Sequence, residues 1–149
     1  MKNKSVLFRA VLVLLTVTAA GMVSGCSGKS EGLKGVKSIV FEQQAIEIEG
    51  HKETVTVMPD GLIERRLASG GNTETEKSAV NPGDFEKLVE ILNKNRFTEL
   101  PDDVSTDSKD GAILTITVET ETVTYQKSGL NPDNQDFLNC YHDGLDLLQ

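Results

Sequence analysis

Apolar and polar residues alternate along several stretches of the chain, which is the pattern of a β-strand with one buried face. In the first half, this pattern predicts strands over S-I-V-F-E, A-I-E-I-E, K-E-T-V-T-V-M-P and G-L-I-E-R-R-L. Asp60-Gly61 lies between the last two and predicts a tight hairpin, because glycine adopts positive φ without steric cost. The register of the last strand is ambiguous, and its charges place it near a sheet edge.

The pattern changes twice after this strand. Ser69 to Lys77 is polar and contains Gly70-Gly71, which predicts a loop. Asn81 then suits a helix N-cap, and Pro82 suits the first helical position. The buried stripe of this predicted helix consists of Phe85, Leu88, Val89 and Leu92, which follow at helical spacing.

The second half of the chain repeats this order. After an acidic loop, A-I-L-T-I-T-V-E-T-E-T-V-T-Y-Q-K predicts a second hairpin, and Asn131-Pro132 predicts the start of a second helix. Its buried stripe is Phe137, Tyr141, Leu145 and Leu148. Two hairpin-helix units predict an α+β fold, with an antiparallel sheet of about four to six strands and two helices packed on one face.

The first 25 residues show neither the alternation of a strand nor the spacing of an amphipathic helix, and they predict a signal peptide. Lys2, Lys4 and Arg9 accompany an apolar run from Ala10 to Ala20. This run is shorter than the roughly 20 apolar residues that a membrane-spanning helix needs. Residues 1–25 are therefore expected to be removed, residues 26–35 to form a flexible tether, and residues 36–149 to form a single domain.

The end of the signal peptide indicates how the protein is attached. Val23, Ser24, Gly25 and Cys26 resemble the lipobox of bacterial lipoproteins. The resemblance implies cleavage before Cys26 and a diacylglyceryl group on its thiol. Acyl chains such as palmitate give stable anchoring when two or more are present. The domain is then expected outside the cytoplasm, on the cell membrane or the outer membrane. The alternatives are a simple cleaved signal with an incidental cysteine and an uncleaved N-terminal anchor.

The charge balance argues against nucleic acid as a partner. The full chain has a net charge of −8, and removal of a segment with three basic and no acidic residues leaves −11. Phosphate backbones and anionic lipid surfaces repel such a domain. The acylated Cys26 would hold it at the membrane, and Cys140 alone would remain, which excludes an intramolecular disulfide.

One cluster in the second predicted helix combines a thiol with an imidazole. It comprises Cys140, Tyr141, His142 and Asp143, and a Cys/His pair can act as nucleophile and base. Residues two apart on a helix point about 200° apart. We therefore expect Cys140, at the margin of the apolar stripe, to be a small buried hydrophobe and His142 to lie on the polar face, and we assign no catalytic residue.

Two further features could hold a metal ion, and neither fits. His51 lies in a predicted turn, and no second histidine or cysteine pair accompanies it at zinc-ligand spacing. In the acidic loop, Thr106, Ser108 and Asp110 match EF-hand ligand positions when Gly111 takes the glycine position. Thr117 then falls where a bidentate glutamate is required. We expect no metal and no cofactor.

Threonine is frequent on the predicted strands. These residues are Thr54, Thr56, Thr115, Thr117, Thr120, Thr122 and Thr124. They predict either an ordinary solvent-exposed sheet face, since threonine favours strands, or a flat polar binding surface.

The spacing of core residues resembles known small bacterial domains. A helix reading L-x-x-x-L over Leu88–Leu92 precedes F-x-x-L-P over Phe97–Pro101, then a hairpin and a helix. This is similar to a lipoprotein-associated family of unknown function and, more loosely, to emfourin-type inhibitors of thermolysin-like metalloproteases. The preferred expectation is a non-catalytic binding or accessory domain that contacts an envelope protein. The alternative is a metalloprotease inhibitor acting through Asp102–Gly111 or Gly70–Lys77, and a third is an envelope hydrolase.

Overall fold

The computed structural model describes residues 32–149, and the predicted signal peptide and lipobox, including Cys26, lie outside the described residues. Six strands and two helices follow one another along this part of the chain. They are β1 (Val36–Ala45), β2 (Lys52–Val57), β3 (Leu62–Ser69), β4 (Asn72–Ala79), α1 (Pro82–Lys94), a 3₁₀ turn (Phe97–Glu99), β5 (Ala112–Thr120), β6 (Thr124–Leu130) and α2 (Gln135–Asp146).

All six strands form one antiparallel sheet in the order β4-β3-β2-β1-β5-β6. The first four strands are a meander in which each strand pairs with the next. The chain then returns through α1 to the middle of the sheet, where β5 pairs with β1. The predicted α+β fold with an antiparallel sheet is confirmed.

Both helices cover the same face of the sheet. Ile39 pairs with Val57 on one side and with Val118 on the other, so these three side chains point the same way. They pack in one core with side chains from both helices, including Phe85, Leu88, Leu92, Phe137, Cys140 and Tyr141. Burial of a large apolar side chain contributes about 1.5–3 kcal/mol, so this layer is the main source of stability.

Gly144 allows α2 to approach both the sheet and α1. A Cβ atom at this position would lie 2.8 Å from Cζ of Phe41 and 3.0 Å from Cδ1 of Leu88. The Phe41 ring also meets Tyr141 edge-on, with ring centroids 5.7 Å apart. The core is therefore packed closely enough that only glycine fits at position 144. The apolar pattern of the sequence gives no sign of this contact.

The predicted tether overlaps the fold at its C-terminal end. Leu33 is only 7 % exposed, and its backbone N–H donates to Oδ1 of Asn93 at 2.7 Å. The carbonyl of Gly35 accepts a hydrogen bond from the backbone N–H of Glu121. The chain is thus joined to the domain before β1 begins.

The loop predicted over Ser69–Lys77 is wrong. Ser69 ends β3, Gly70-Gly71 forms the turn, and the following residues form β4, which is exposed along its whole length. An edge strand with solvent on both faces needs no apolar side chains. The signal that alternation normally provides is therefore missing.

Two other local predictions are also wrong. The stretch A-I-E-I-E is not a strand, because β1 ends at Ala45 and Ile46 and Ile48 lie in the exposed turn before β2. Asn131-Pro132 does not start a helix, because Oδ1 of Asn131 instead accepts the backbone N–H of Ala112. The α2 helix starts after Asn134, whose side chain accepts the backbone N–H of Phe137.

Candidate functional site: the uncovered face of the sheet

The face of the sheet opposite the helices is polar and open. The strand register places alternate residues on it, and we call this surface the outer face. Its central residues are Ser38, Val40, Glu42, Thr54, Thr56, Glu64, Arg66, Thr115, Thr117, Thr124, Gln126 and Ser128, and the apolar Leu62, Ile113 and Leu130 lie at its ends. Because α1 and α2 both pack on the other side, most of these side chains are exposed or half-buried on a surface that crosses all the central strands, and only Ser38 and Thr115 among them are buried.

Hydroxyl groups dominate the middle of the outer face. Thr56, Val40 and Thr117 lie side by side in one row across three strands. In the next row, Oγ1 of Thr115 and Oγ of Ser128 are 2.7 Å apart and share a hydrogen bond. A hydroxyl both donates and accepts, so Thr56 and Thr117 offer neutral groups to a polar partner on either side of the half-buried Val40, whereas Thr115 is itself buried.

Charged pairs border this neutral centre. Glu42 pairs with Lys52 at one end, and Glu64 pairs with Arg66 at 3.0 Å and with Lys77 at 3.4 Å. These pairs are partly exposed, and such pairs contribute little to stability. They leave the outer face without a large excess of either charge.

The predicted threonine-rich faces are confirmed in part. Thr54, Thr56, Thr115, Thr117 and Thr124 lie on the outer face. The two others lie where β5 turns into β6. Thr120 ends β5, and its Oγ1 donates to the carbonyl of Val123 at 2.7 Å and accepts from the backbone N–H of Thr122, which lies in the turn. The threonines of these strands therefore lie partly on the outer face and partly at the β5–β6 turn.

The predicted positions of Cys140 and His142 are confirmed. Cys140 is fully buried, whereas His142 is exposed on the far side of α2. Burial raises the pKa of the Cys140 thiol to about 12, and Asp136 and Asp143 add to the shift. The thiol thus stays protonated near neutral pH, and the structure does not bring it to the imidazole.

The acidic loop is fixed by its own hydrogen bonds. Oδ1 of Asp103 accepts from the backbone N–H of Ser105, and Oγ of Ser105 accepts from the N–H of Leu130. Oγ of Ser108 donates to the carbonyl of Asp110. Across residues 32–149, no three His, Cys, Asp or Glu side chains converge in a way that could hold a metal ion. His51 lies half-buried at the turn before β2.

A second open surface lies beyond the helices, where β3 and β4 extend the sheet. A shallow groove on the helix side of these strands is lined by Glu53, Arg65, Leu67, Glu74 and Glu76, among others. Nη2 of Arg65 donates to the carbonyl of Leu148 at 3.0 Å, which joins the residues that follow α2 to this region. The sequence interpretation missed this surface, although T-E-T-E after Gly-Gly has the two-residue period of a strand.

Comparison of the chain with known protein families and with curated proteins finds no match. No helix between residues 32 and 149 is long and apolar enough to cross a bilayer. The lipobox, with Cys26, lies outside the described residues, so lipid attachment stays a prediction.

Proposed function

We propose that this protein is a lipid-anchored domain of the cell envelope that binds another envelope protein and performs no catalysis. The observation that carries the proposal is the outer face, a mostly polar surface across five strands that both helices leave uncovered. The sequence of the lipobox supports the anchor. At most about 22 Å of chain separates Cys26 from Gly32, so the domain would stay close to the bilayer.

The anchor is tested by metabolic labelling with palmitate. Wild-type protein should carry the label and fractionate with membranes, and a Cys26→Ala variant should do neither. Cys140→Ala is the matched control, because Cys140 is buried in the core and is not preceded by a lipobox. Label on the Cys26→Ala variant would contradict the proposed anchor.

The binding surface is tested by capture from solubilised envelopes. We expect the immobilised full chain to retain a partner in a fixed ratio, and a Thr56→Lys/Thr117→Lys variant to retain less of it. Both threonines lie in the central row of the outer face. Thr122→Lys, in the β5–β6 turn, is the control. Equal retention by all three proteins would exclude the outer face.

Inhibition of a thermolysin-like metalloprotease is a second candidate function, favoured by the acidic loop. Its hydrogen bonds hold residues 102–111 in place while most of them stay exposed. A loop already fixed in its bound shape loses less entropy on binding. Titration of thermolysin with the protein tests this candidate, because an inhibitor would abolish activity at a fixed ratio.

A further inference from the structure

The strand β4 presents an unpaired edge to solvent. It pairs with β3 over eight consecutive residues without a register shift, and all eight of its residues are exposed. Within residues 32–149, no other segment pairs with its free side. An edge of this length without proline is a template for another strand.

The turn at Gly70-Gly71 fixes which backbone groups face outward. Both glycines have positive φ, as in the two-residue turns that start a hairpin with a hydrogen-bonded pair. Hydrogen-bonded and non-bonded residue pairs then alternate along β3 and β4. The even-numbered residues of β4 therefore bond to β3, and the bond from the Val80 N–H to the carbonyl of Gly61 continues the same alternation. The outward N–H and C=O groups are therefore those of Thr73, Thr75 and Lys77.

The acidic side chains of β4 indicate what kind of strand could pair with its free edge. Glu74 and Glu76 share the helix side of the sheet with Glu53, which lies two strands further in. Arg65 lies opposite Glu76 on β3, and its guanidinium donates to the carbonyl of Leu148. Neither Glu74 nor Glu76 lies within 4.0 Å of a basic nitrogen of the described residues. Two acidic side chains at alternate positions complement basic side chains at alternate positions of an added strand.

A second copy of this chain is a poor occupant. Two β4 strands related by a two-fold axis would pair antiparallel with their helix sides on the same face, so even-numbered residues would oppose even-numbered ones. In the central registers, Glu74 or Glu76 then faces a glutamate, and a shift along the strand sets Lys77 against Lys77. Like charges directly opposite each other destabilise strand pairs.

We propose that β4 binds an extended segment of a partner protein with lysine or arginine at every second position. The segment adds a seventh strand to the sheet through the backbone groups of Thr73, Thr75 and Lys77. Its basic side chains lie beside Glu74 and Glu76, and the alternate side chains continue the outer face. This proposal rests on the proposed function and adds the entry point and the chemical class of the partner.

The test measures binding of the synthetic peptide KTKVKTK to the full chain in detergent by isothermal titration calorimetry. We expect one peptide per protein and an affinity that falls with added salt. Thr75→Pro should weaken binding about tenfold, because it removes an outward N–H and leaves the bonds to β3 intact. Glu74→Gln/Glu76→Gln should weaken it about fivefold, and the control Glu86→Gln/Glu90→Gln on the exposed side of α1 should not.

Hydrogen exchange keeps the test independent of how well the variants fold. In the wild type, the peptide should slow exchange of the Thr73, Thr75 and Lys77 amides. The proposal is overturned if KTKVKTK does not bind, if the acidic peptide ETEVETE binds equally well, or if those amides keep their exchange rates. Dimerisation of the wild type that Thr75→Pro abolishes would also overturn it, in favour of a second copy.

Envelope capture separates this proposal from the proposed function. A partner retained by the wild type and lost by Thr75→Pro supports both. A partner retained equally by both proteins sustains the proposed function and overturns the β4 edge. If the wild type retains no partner, the proposed function is contradicted, while the peptide and exchange results still decide whether the edge accepts a basic strand.

Discussion

The two edges of the sheet are treated in opposite ways. Beyond β6, the chain lays residues 102–106 alongside the strand, and we call this the covering segment. The N–H of Ser128 donates to the carbonyl of Asp102, and the N–H groups of Val104 and Thr106 donate to the carbonyls of Ser128 and Leu130. Beyond β4, the described chain provides nothing comparable.

Close side-chain packing and an ion pair also hold the covering segment against β6. Val104 is 6 % exposed, and a Cβ atom on Gly129 would lie 2.6 Å from its carbonyl carbon. Nζ of Lys127 lies 2.7 Å from Oδ1 of Asp102. On β4, Thr, Glu and Lys all point into solvent. Within residues 32–149, the fold thus covers the β6 edge and leaves the β4 edge open.

Proline at matched outward positions should give the largest contrast between the two edges. Ser128→Pro removes the N–H that donates to Asp102 and places a ring against the covering segment, so we expect a loss of about 3 kcal/mol in the free energy of unfolding. Thr75→Pro removes an N–H that faces solvent and should change it by less than about 1 kcal/mol. Urea denaturation measures both.

A further control lies on β6 itself. The N–H of Gln126 points outward in the same phase as that of Ser128, but it lies before the covering segment. Gln126→Pro should therefore resemble Thr75→Pro. Equal losses for the proline variants of Ser128 and Thr75 would show that the covering segment contributes nothing.

An added methyl group should separate tight from open glycine positions. Gly129→Ala drives a Cβ atom into the backbone of the covering segment, and overpacking of this kind costs about 1–3 kcal/mol. Gly83→Ala in α1 meets nothing within 4 Å and should be neutral or slightly stabilising. Thermal unfolding compares them. A neutral Gly129→Ala would mean that the segment moves away at no cost.

The sequence predicts the covered parts of the fold better than the open ones. The stripe of Phe85, Leu88 and Leu92 and the alternation of Ile116 and Val118 both arise from burial on one face, and both are confirmed. The strand β4 was interpreted as a loop because it buries no side chain on either face. Apolar periodicity reports contact with the core, so it cannot detect an edge strand.

The covering segment shows a second limit of sequence reasoning. Three of its bonds to β6 join residues about 25 positions apart through backbone groups, which every residue carries. Gly129 is the only local sign of the close approach, and a glycine within a strand has several explanations. The candidate site has the same limit, since the threonines were visible but the side of the sheet that the helices cover was not.

The ion pair at the covered edge should have an intermediate effect. Lys127 has a side chain only 7 % exposed, whereas that of Asp102 is 88 % exposed. Asp102→Ala leaves a buried ammonium group with no carboxylate partner, and we expect a loss of about 1 kcal/mol, since solvent screens the exposed partner. In a Lys127→Met background, the same substitution should have almost no effect. Urea denaturation of the wild type, the two single variants and the double variant gives the coupling free energy between the two side chains. Additive losses would contradict a direct interaction.

Acid should loosen the covered edge slightly and leave the open edge unchanged. Hydrogen bonds from the Ser105 side chain and backbone hold the pKa of Asp103 below its usual range. A lowered pKa stabilises the folded state fully above the unfolded-state value of about 4, and the effect disappears as the pH falls through the lower folded value. The amides of Val104 and Thr106 should lose about threefold protection against hydrogen exchange over that range, after correction for intrinsic rates.

Asp103→Ala should show the reduced protection at every pH, and Asp107→Ala in the same loop should behave as wild type. If Asp103→Ala kept the pH dependence of the wild type, another carboxylate would be holding the covering segment on β6.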